Sequence, residues 1–207
     1  MRRIVAVVVG GLLSVVGCTK TVYVTTTEAP VTTEAPAELR SGFTVYGFTI
    51  GPNADLTDAN LTDADLTNAN LYGAYLYEAD LTNANLSGAN LESANLSGAN
   101  LSGADLRGAY LPFANLTNAN LSEANLTYAI LAGANLEGAY LSDANLTDAN
   151  LTDAYLWYAD LSRANLTDAN LTDAFLGGAF LGGANLSNAN LSNATLPDGW
   201  QDIVAAY

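Results

Sequence analysis

A single thiol, a scatter of carboxylates and a few outsized aromatic side chains are the residues able to do chemistry in this 207-residue chain. The one cysteine, Cys18, ends the only long apolar run, and the chain has no histidine. There is thus no thiol–imidazole pair, no Ser–His–Asp triad, no His/Cys zinc cage and no intrachain disulfide. Carboxylates abound, with 21 Asp+Glu against six Lys+Arg and a net charge of −15. That balance opposes direct binding to a nucleic-acid backbone, which needs Lys and Arg to displace counterions. Paired carboxylates can do acid–base work, but no spacing matches the oxygen ligands and central Gly of an EF-hand or a Gly-rich calcium-binding repeat. The expectation is a protein that is not an enzyme and holds no cofactor and no defined metal. Tyr155, Trp157, Tyr158, Phe175 and Phe180 remain as the largest departures from a surface otherwise written in Asn, Thr and Asp.

Cys18 is placed by what precedes it. Met1-Arg2-Arg3 is basic, and Ile4 to Val16 is apolar apart from small residues, too short for a spanning helix and typical of an export signal. The ending Val15-Val16-Gly17-Cys18 resembles the lipobox of bacterial lipoproteins. That resemblance implies removal of residues 1–17, a diacylglyceryl thioether on Cys18, and a lipid anchor to the cell membrane or outer membrane. Two or three acyl chains hold where one is marginal, at about 0.8 kcal/mol per buried CH₂. Residues 18–41 read as the lipidated Cys and a tether: Thr26-Thr27-Glu28-Ala29-Pro30 recurs as Thr32-Thr33-Glu34-Ala35-Pro36. Such Thr/Pro/Glu sequence has little to bury and is stiffened by its prolines.

From Ala54 the chain keeps a strict period of five. Leu occurs at every fifth residue from Leu56 to Leu196, and Ala stands two residues before each Leu, 29 of each without a miss. On an α-helix successive leucines would rotate by 140° and smear around the cylinder. In a flat strand an odd period would send alternate leucines to opposite faces. A closed coil with one pentad per side avoids both problems, with Leu and Ala inward. Asn, Asp and Gly among the outward residues suit tight corners, through φ > 0 or bonds to local backbone.

The pattern Ala-(Asn/Asp)-Leu-x-x over 54–196 resembles the pentapeptide-repeat family. The resemblance implies an all-β fold, a right-handed four-sided β-helix with four pentads per coil. Twenty-nine pentads make a little over seven coils, a rod about 35 Å tall at ordinary strand spacing. Its open ends need covers. Residues 42–53 supply a β-prone N-terminal cap through Phe43-Thr44-Val45 and Phe48-Thr49-Ile50. Residues 197–207 place Trp200, Ile203, Val204 and Tyr207 on one face of a short C-terminal cap helix, with a dimer contact as the alternative use of that tail and a monomer as the expected state.

On the family's twenty-residue register, Tyr155 stacks under Phe175, Trp157 and Tyr158 share their side, and Phe180 lies on the adjoining one. Gly177, Gly178, Gly182 and Gly183 leave the two Phe rings unshielded. This cluster is the candidate partner surface, for a protein or an envelope polymer; the alternative is a ladder of rings that stabilises neighbouring coils. Thr127, Thr147 and Thr167 stack in a polar column that Arg107 interrupts, which reads as a solvated face rather than an ice-binding one. Some members of the family protect DNA gyrase by imitating duplex DNA as acidic rods. This chain shares the acidity, with 16 Asp+Glu against Arg107 and Arg163 in the repeats, but its export signal points away from the cytoplasm. The sequence therefore reads as a membrane-anchored interaction or spacer module of the bacterial cell envelope, with the DNA mimic as the alternative.

Overall fold

The structure, a computed structural model, describes residues 40–200. The expected signal peptide, the Cys18 anchor, the tether up to residue 39 and the tail residues Ile203, Val204 and Tyr207 lie outside the described residues.

The pentads close into coils of twenty residues. Twenty-five isolated parallel bridges join residue i to i+20, from Asp55 with Tyr75 to Phe175 with Thr195. Each rung is narrow and repeats the same bonds. The Leu61 N–H donates to the Asp80 carbonyl at 2.7 Å, and the Asp80 N–H donates back to the Ala59 carbonyl at 2.9 Å. A third bond, from the Asp58 N–H to the Tyr77 carbonyl at 2.9 Å, ties one turn to the next above it. Four pentads and four turns therefore make one coil. Stability follows mostly from contacts between adjacent coils, as in other solenoids.

The turns explain why five residues form a side. In Leu56-Thr57-Asp58-Ala59 the Ala59 N–H closes onto the Leu56 carbonyl at 3.1 Å, and Asp58 has φ of 56°. A positive φ at the third turn residue is the type II pattern, which favours Gly, Asn or Asp there. Every second residue after a leucine from Asp58 to Asn193 has positive φ, whether it is Gly, Asp, Asn or a bulkier side chain such as Phe113, Tyr128, Tyr158 or Arg163. Where Asn or Asp stands just before the Leu, it has a different task. Asn145 Oδ1 accepts the Thr147 N–H at 3.2 Å and the Thr147 hydroxyl at 2.7 Å, so its side chain braces the start of the turn.

Inside, Leu from 56 to 181 and Ala from 59 to 184 are buried, and no buried side-chain polar atom among the described residues lacks a partner. A core of one large and one small residue per pentad alternates in size, which lets facing layers interdigitate at interior density.

The N-terminal end is covered. Strands β1 (Phe43–Val45) and β2 (Phe48–Ile50) pair antiparallel through Phe43 with Ile50 and Val45 with Phe48. Tyr46 and Gly47 between them have φ of 49° and 88°, the two positive values that a type I′ hairpin turn requires. Ile50 is fully buried, and Phe43, Val45 and Phe48 pack against the core. Arg40 adds a rung beside Ala69: its N–H donates to the Asn68 carbonyl and its carbonyl accepts the Asn70 N–H, both at 2.6 Å. At the other end Leu186, Leu191, Leu196 and Trp200 are only partly buried and pack against the core.

Candidate interaction surface

The outward columns carry polar stretches bonded to themselves and, in some of the same columns, aromatic stretches left at least partly open. In the polar stretches Asn Nδ2 donates down to the coil below. Asn165 reaches the Thr147 hydroxyl at 3.0 Å, Asn170 reaches Thr152 at 3.0 Å, and Asn185 reaches Thr167 at 3.0 Å. The same hydroxyls donate to the Asn two residues before them, as in Thr167 to Asn165 at 2.6 Å. The Thr column is thus engaged within the protein rather than aimed at solvent. This lateral network was not apparent from the sequence, because both partners looked like interchangeable filler.

The displaced carboxylates all move in one direction. The Thr82 hydroxyl and N–H hold Asp80 below the usual carboxylate range, and those of Thr67 do the same for Asp65. Bonds from the Arg107 and Arg163 guanidiniums lower Asp105 and Asp143; the Arg163 Nε lies 2.7 Å from Asp143 Oδ1. A general acid needs the opposite shift. The Glu78 carboxylate raises the Tyr77 phenol, and desolvation raises Tyr110. Among the described residues no group of three or more His, Cys, Asp or Glu is placed to hold a metal ion, and no helix is long and apolar enough to cross a membrane.

The five aromatics fall into two neighbouring sets. Tyr155 and Phe175 stack with centroids 5.1 Å apart and planes 6° from parallel. Trp157 tilts against both, 5.4 Å from Tyr155 and 5.5 Å from Phe175. Tyr155 and Trp157 each keep 38 % of their surface exposed. Tyr158 stands apart from this triad. Its positive φ of 58° carries it past the corner, where with Tyr140 and Phe180 it lines a groove of about 480 Å³ that also contains Asp160, Ser162, Asn118 and Gly138.

The glycines above are seats rather than gaps. A Cβ at Gly177 would stand 3.2 Å from the Trp157 indole, and one at Gly178 would stand 2.7 Å from the Tyr158 ring. The expectation that these two glycines serve to unshield Phe175 and Phe180 is therefore replaced: they make room for the rings of the coil below. Of the four glycines at 177, 178, 182 and 183, Gly182 faces open space, and Gly183 lies over the Arg163 side chain. Gly133 seats Phe113 in the same way, with a Cβ only 2.7 Å from that ring.

The family profile described as Pentapeptide repeats matches the chain in eight overlapping copies, at residues 54–92, 74–111, 84–122, 109–143, 119–157, 129–168, 144–183 and 164–198. The chain belongs to the pentapeptide-repeat family. Membership implies the family's right-handed quadrilateral β-helix, with which the bridges at i and i+20 agree. Among solved structures the chain is similar to HetL, a pentapeptide-repeat protein involved in heterocyst differentiation regulation from the cyanobacterium Nostoc sp. Strain PCC 7120. The identity is 41 %, covering 72 % of this chain and 74 % of HetL, with a TM-score of 0.25. It is also similar to the pentapeptide-repeat protein Rfr23 from the cyanobacterium Cyanothece 51142, at 41 % identity over 53 % of this chain and 60 % of Rfr23, TM-score 0.35. A third is QnrB1, a plasmid-mediated fluoroquinolone resistance protein, at 18 % identity over 74 % of this chain and 85 % of QnrB1, TM-score 0.37. Among curated proteins none matches the chain. Pentapeptide-repeat proteins are in general structural or interaction modules.

Proposed function

We propose that this pentapeptide-repeat protein is a membrane-anchored, non-enzymatic interaction module of the bacterial cell envelope. The observation that carries the reading is the partly exposed stack of Tyr155, Trp157 and Phe175, the three rings in mutual contact among the exposed aromatics of the described residues. Large aromatics held rigid by their neighbours and partly open to solvent are the usual anchors of a contact surface, since little side-chain entropy is lost when they bind. The partner is an envelope protein or polymer. The surrounding carboxylates steer a basic or polar one and contribute less once contact is made.

The anchor rests on the sequence from Met1 to Cys18. Metabolic labelling with a fatty-acid probe, followed by membrane fractionation, tests it. Label and membrane association should both disappear in Cys18→Ala, and equal labelling of that variant contradicts the anchor. The alternative, an acidic solenoid that imitates duplex DNA and binds gyrase, draws on the 16 Asp+Glu of the repeats. A supercoiling assay with purified gyrase separates the two readings: the envelope module leaves supercoiling unchanged, and the DNA mimic inhibits it.

A further inference from the structure

The groove beside the stacked triad has a chemistry of its own. Its floor is a single column of the solenoid in which Tyr140, Asp160 and Phe180 are successive bridge partners. Two aromatic side chains therefore stand one coil below and one coil above a carboxylate. At about 4.8 Å per rung, the two rings leave the backbone about 10 Å apart. A group seated over Asp160 would lie about 5 Å from each, inside the roughly 6 Å reach of a cation–π contact. Tyr158, held over Gly178 at the corner, closes a third side. All three rings are open, with Tyr158 67 %, Phe180 62 % and Tyr140 54 % exposed.

Charge selects the occupant. Three aromatic rings line the groove, each carrying a negative quadrupole on its face, and Asp160 adds a formal charge in the column between Tyr140 and Phe180. One Asp160 oxygen accepts the Ser162 N–H at 2.9 Å, and a carboxylate has acceptor capacity beyond that single bond. The basic side chain nearest in sequence, Arg163, is engaged with Asp143. A neutral sugar could use the rings but would bring no charge to pair with Asp160, and an anion would be repelled by it and by the net charge of −15. A planar cation satisfies both features at once, because a guanidinium stacks on aromatic faces and pairs edge-on with a carboxylate.

We propose that the groove of Tyr140, Tyr158, Asp160 and Phe180 binds an arginine side chain of a basic polypeptide partner. The guanidinium stacks between Tyr140 and Phe180, and Asp160 is its counter-ion. This rests on the interaction-module reading but not on the lipid anchor, and it names the chemistry that the partner must offer.

The test is a nuclear magnetic resonance titration of the full-length chain in detergent with N-acetyl-argininamide, following the aromatic ring resonances. The rings of Tyr140, Tyr158 and Phe180 should shift saturably while those of Tyr72 and Tyr128 stay fixed. N-acetyl-citrullinamide, the neutral isostere, should bind at least about five-fold more weakly. Asp160→Asn and Phe180→Asn should each weaken argininamide binding by a similar factor. Both changes introduce a residue that the same column already carries at Asn100 and Asn120, and melting temperatures check that they fold. Equal binding of citrullinamide overturns the proposal, as does undiminished binding by a folded Asp160→Asn. So do ring shifts with an N-acetylglucosamine trimer but none with argininamide. Loss of the argininamide response together with intact Trp157-dependent partner capture would remove the groove assignment and leave the interaction module standing.

Discussion

The ring of Tyr155 lies flat against that of Phe175, one coil above it, with centroids 5.1 Å apart and planes 6° from parallel. Their backbones are bridge partners, so the solenoid's own rung spacing sets the rings at stacking distance. The pair can therefore stabilise the coil junction and display a rigid apolar face at once. A double-mutant cycle with Tyr155→Asn and Phe175→Asn, read by chemical denaturation, should return a coupling of about 0.5–1.5 kcal/mol. Strict additivity would show that the stack contributes nothing to folding.

The core and the surface of one pentad should respond very differently. Leu126 is fully buried in the stacked lining, and Leu126→Ala should cost about 2–5 kcal/mol through cavity formation. Thr127→Val keeps the shape but removes the hydroxyl that donates to Asn125 at 2.6 Å. Its expected cost is about 0.5–1.5 kcal/mol. Equal losses in denaturation experiments would contradict the inward Leu register.

The corners carry a backbone requirement that composition alone does not. Asp148 sits at φ of 56°. Asp148→Gly should be tolerated with little change in stability. Asp148→Val, β-branched in the left-handed region, should cost about 1–2 kcal/mol. Thermal melts of the two variants check the ordering, and a Val variant as stable as the Gly variant would contradict it.

Acid should weaken the protein through particular carboxylates. Asp80 and Asp105 are held below their ordinary value of 3.8, by the Thr82 hydroxyl and by the Arg107 guanidinium respectively. In that window the unfolded chain binds more protons than the folded one, so stability rises with pH. The contribution is fully present above the unfolded pKa, near that ordinary value, and is lost as pH falls through the lowered folded values. The Asp80→Asn, Asp105→Asn double variant should therefore lose stability less steeply than the parent between about pH 5 and pH 2. Identical slopes in denaturant titrations would contradict the assignment.

The period of five, the inward Leu and Ala and the outward aromatics were legible because each is a property of one-dimensional spacing. The twenty-residue coil came from family resemblance, since nothing in a single pentad says how many make a turn of the solenoid. Three features could not be read in advance. Asn125 and Thr127 look like solvated filler until the backbone brings the Asn Oδ1 over the Thr N–H, a local turn effect. Trp157 and Tyr158 are adjacent in sequence and were expected to act together. The second residue after Leu156 takes positive φ, however, and that sends Tyr158 around the corner to Tyr140 and Phe180. Gly177 and Gly178 read as bare surface for a related reason, because their function depends on rings twenty residues earlier.

Whether the outward aromatics hold a partner or only brace the coils is tested most directly on Trp157. The full-length chain, as wild type, Trp157→Ala and Asn125→Ala, is immobilised and used to capture its partner from solubilised envelopes, and each variant's melting temperature is measured alongside. Trp157→Ala should weaken capture by about 2 kcal/mol or more, with a melting temperature no lower than that of Asn125→Ala, which should retain capture in full. A Trp157→Ala variant that melts markedly lower yet captures as much as wild type would contradict the contact surface and leave the aromatics as a structural ladder in a tethered spacer.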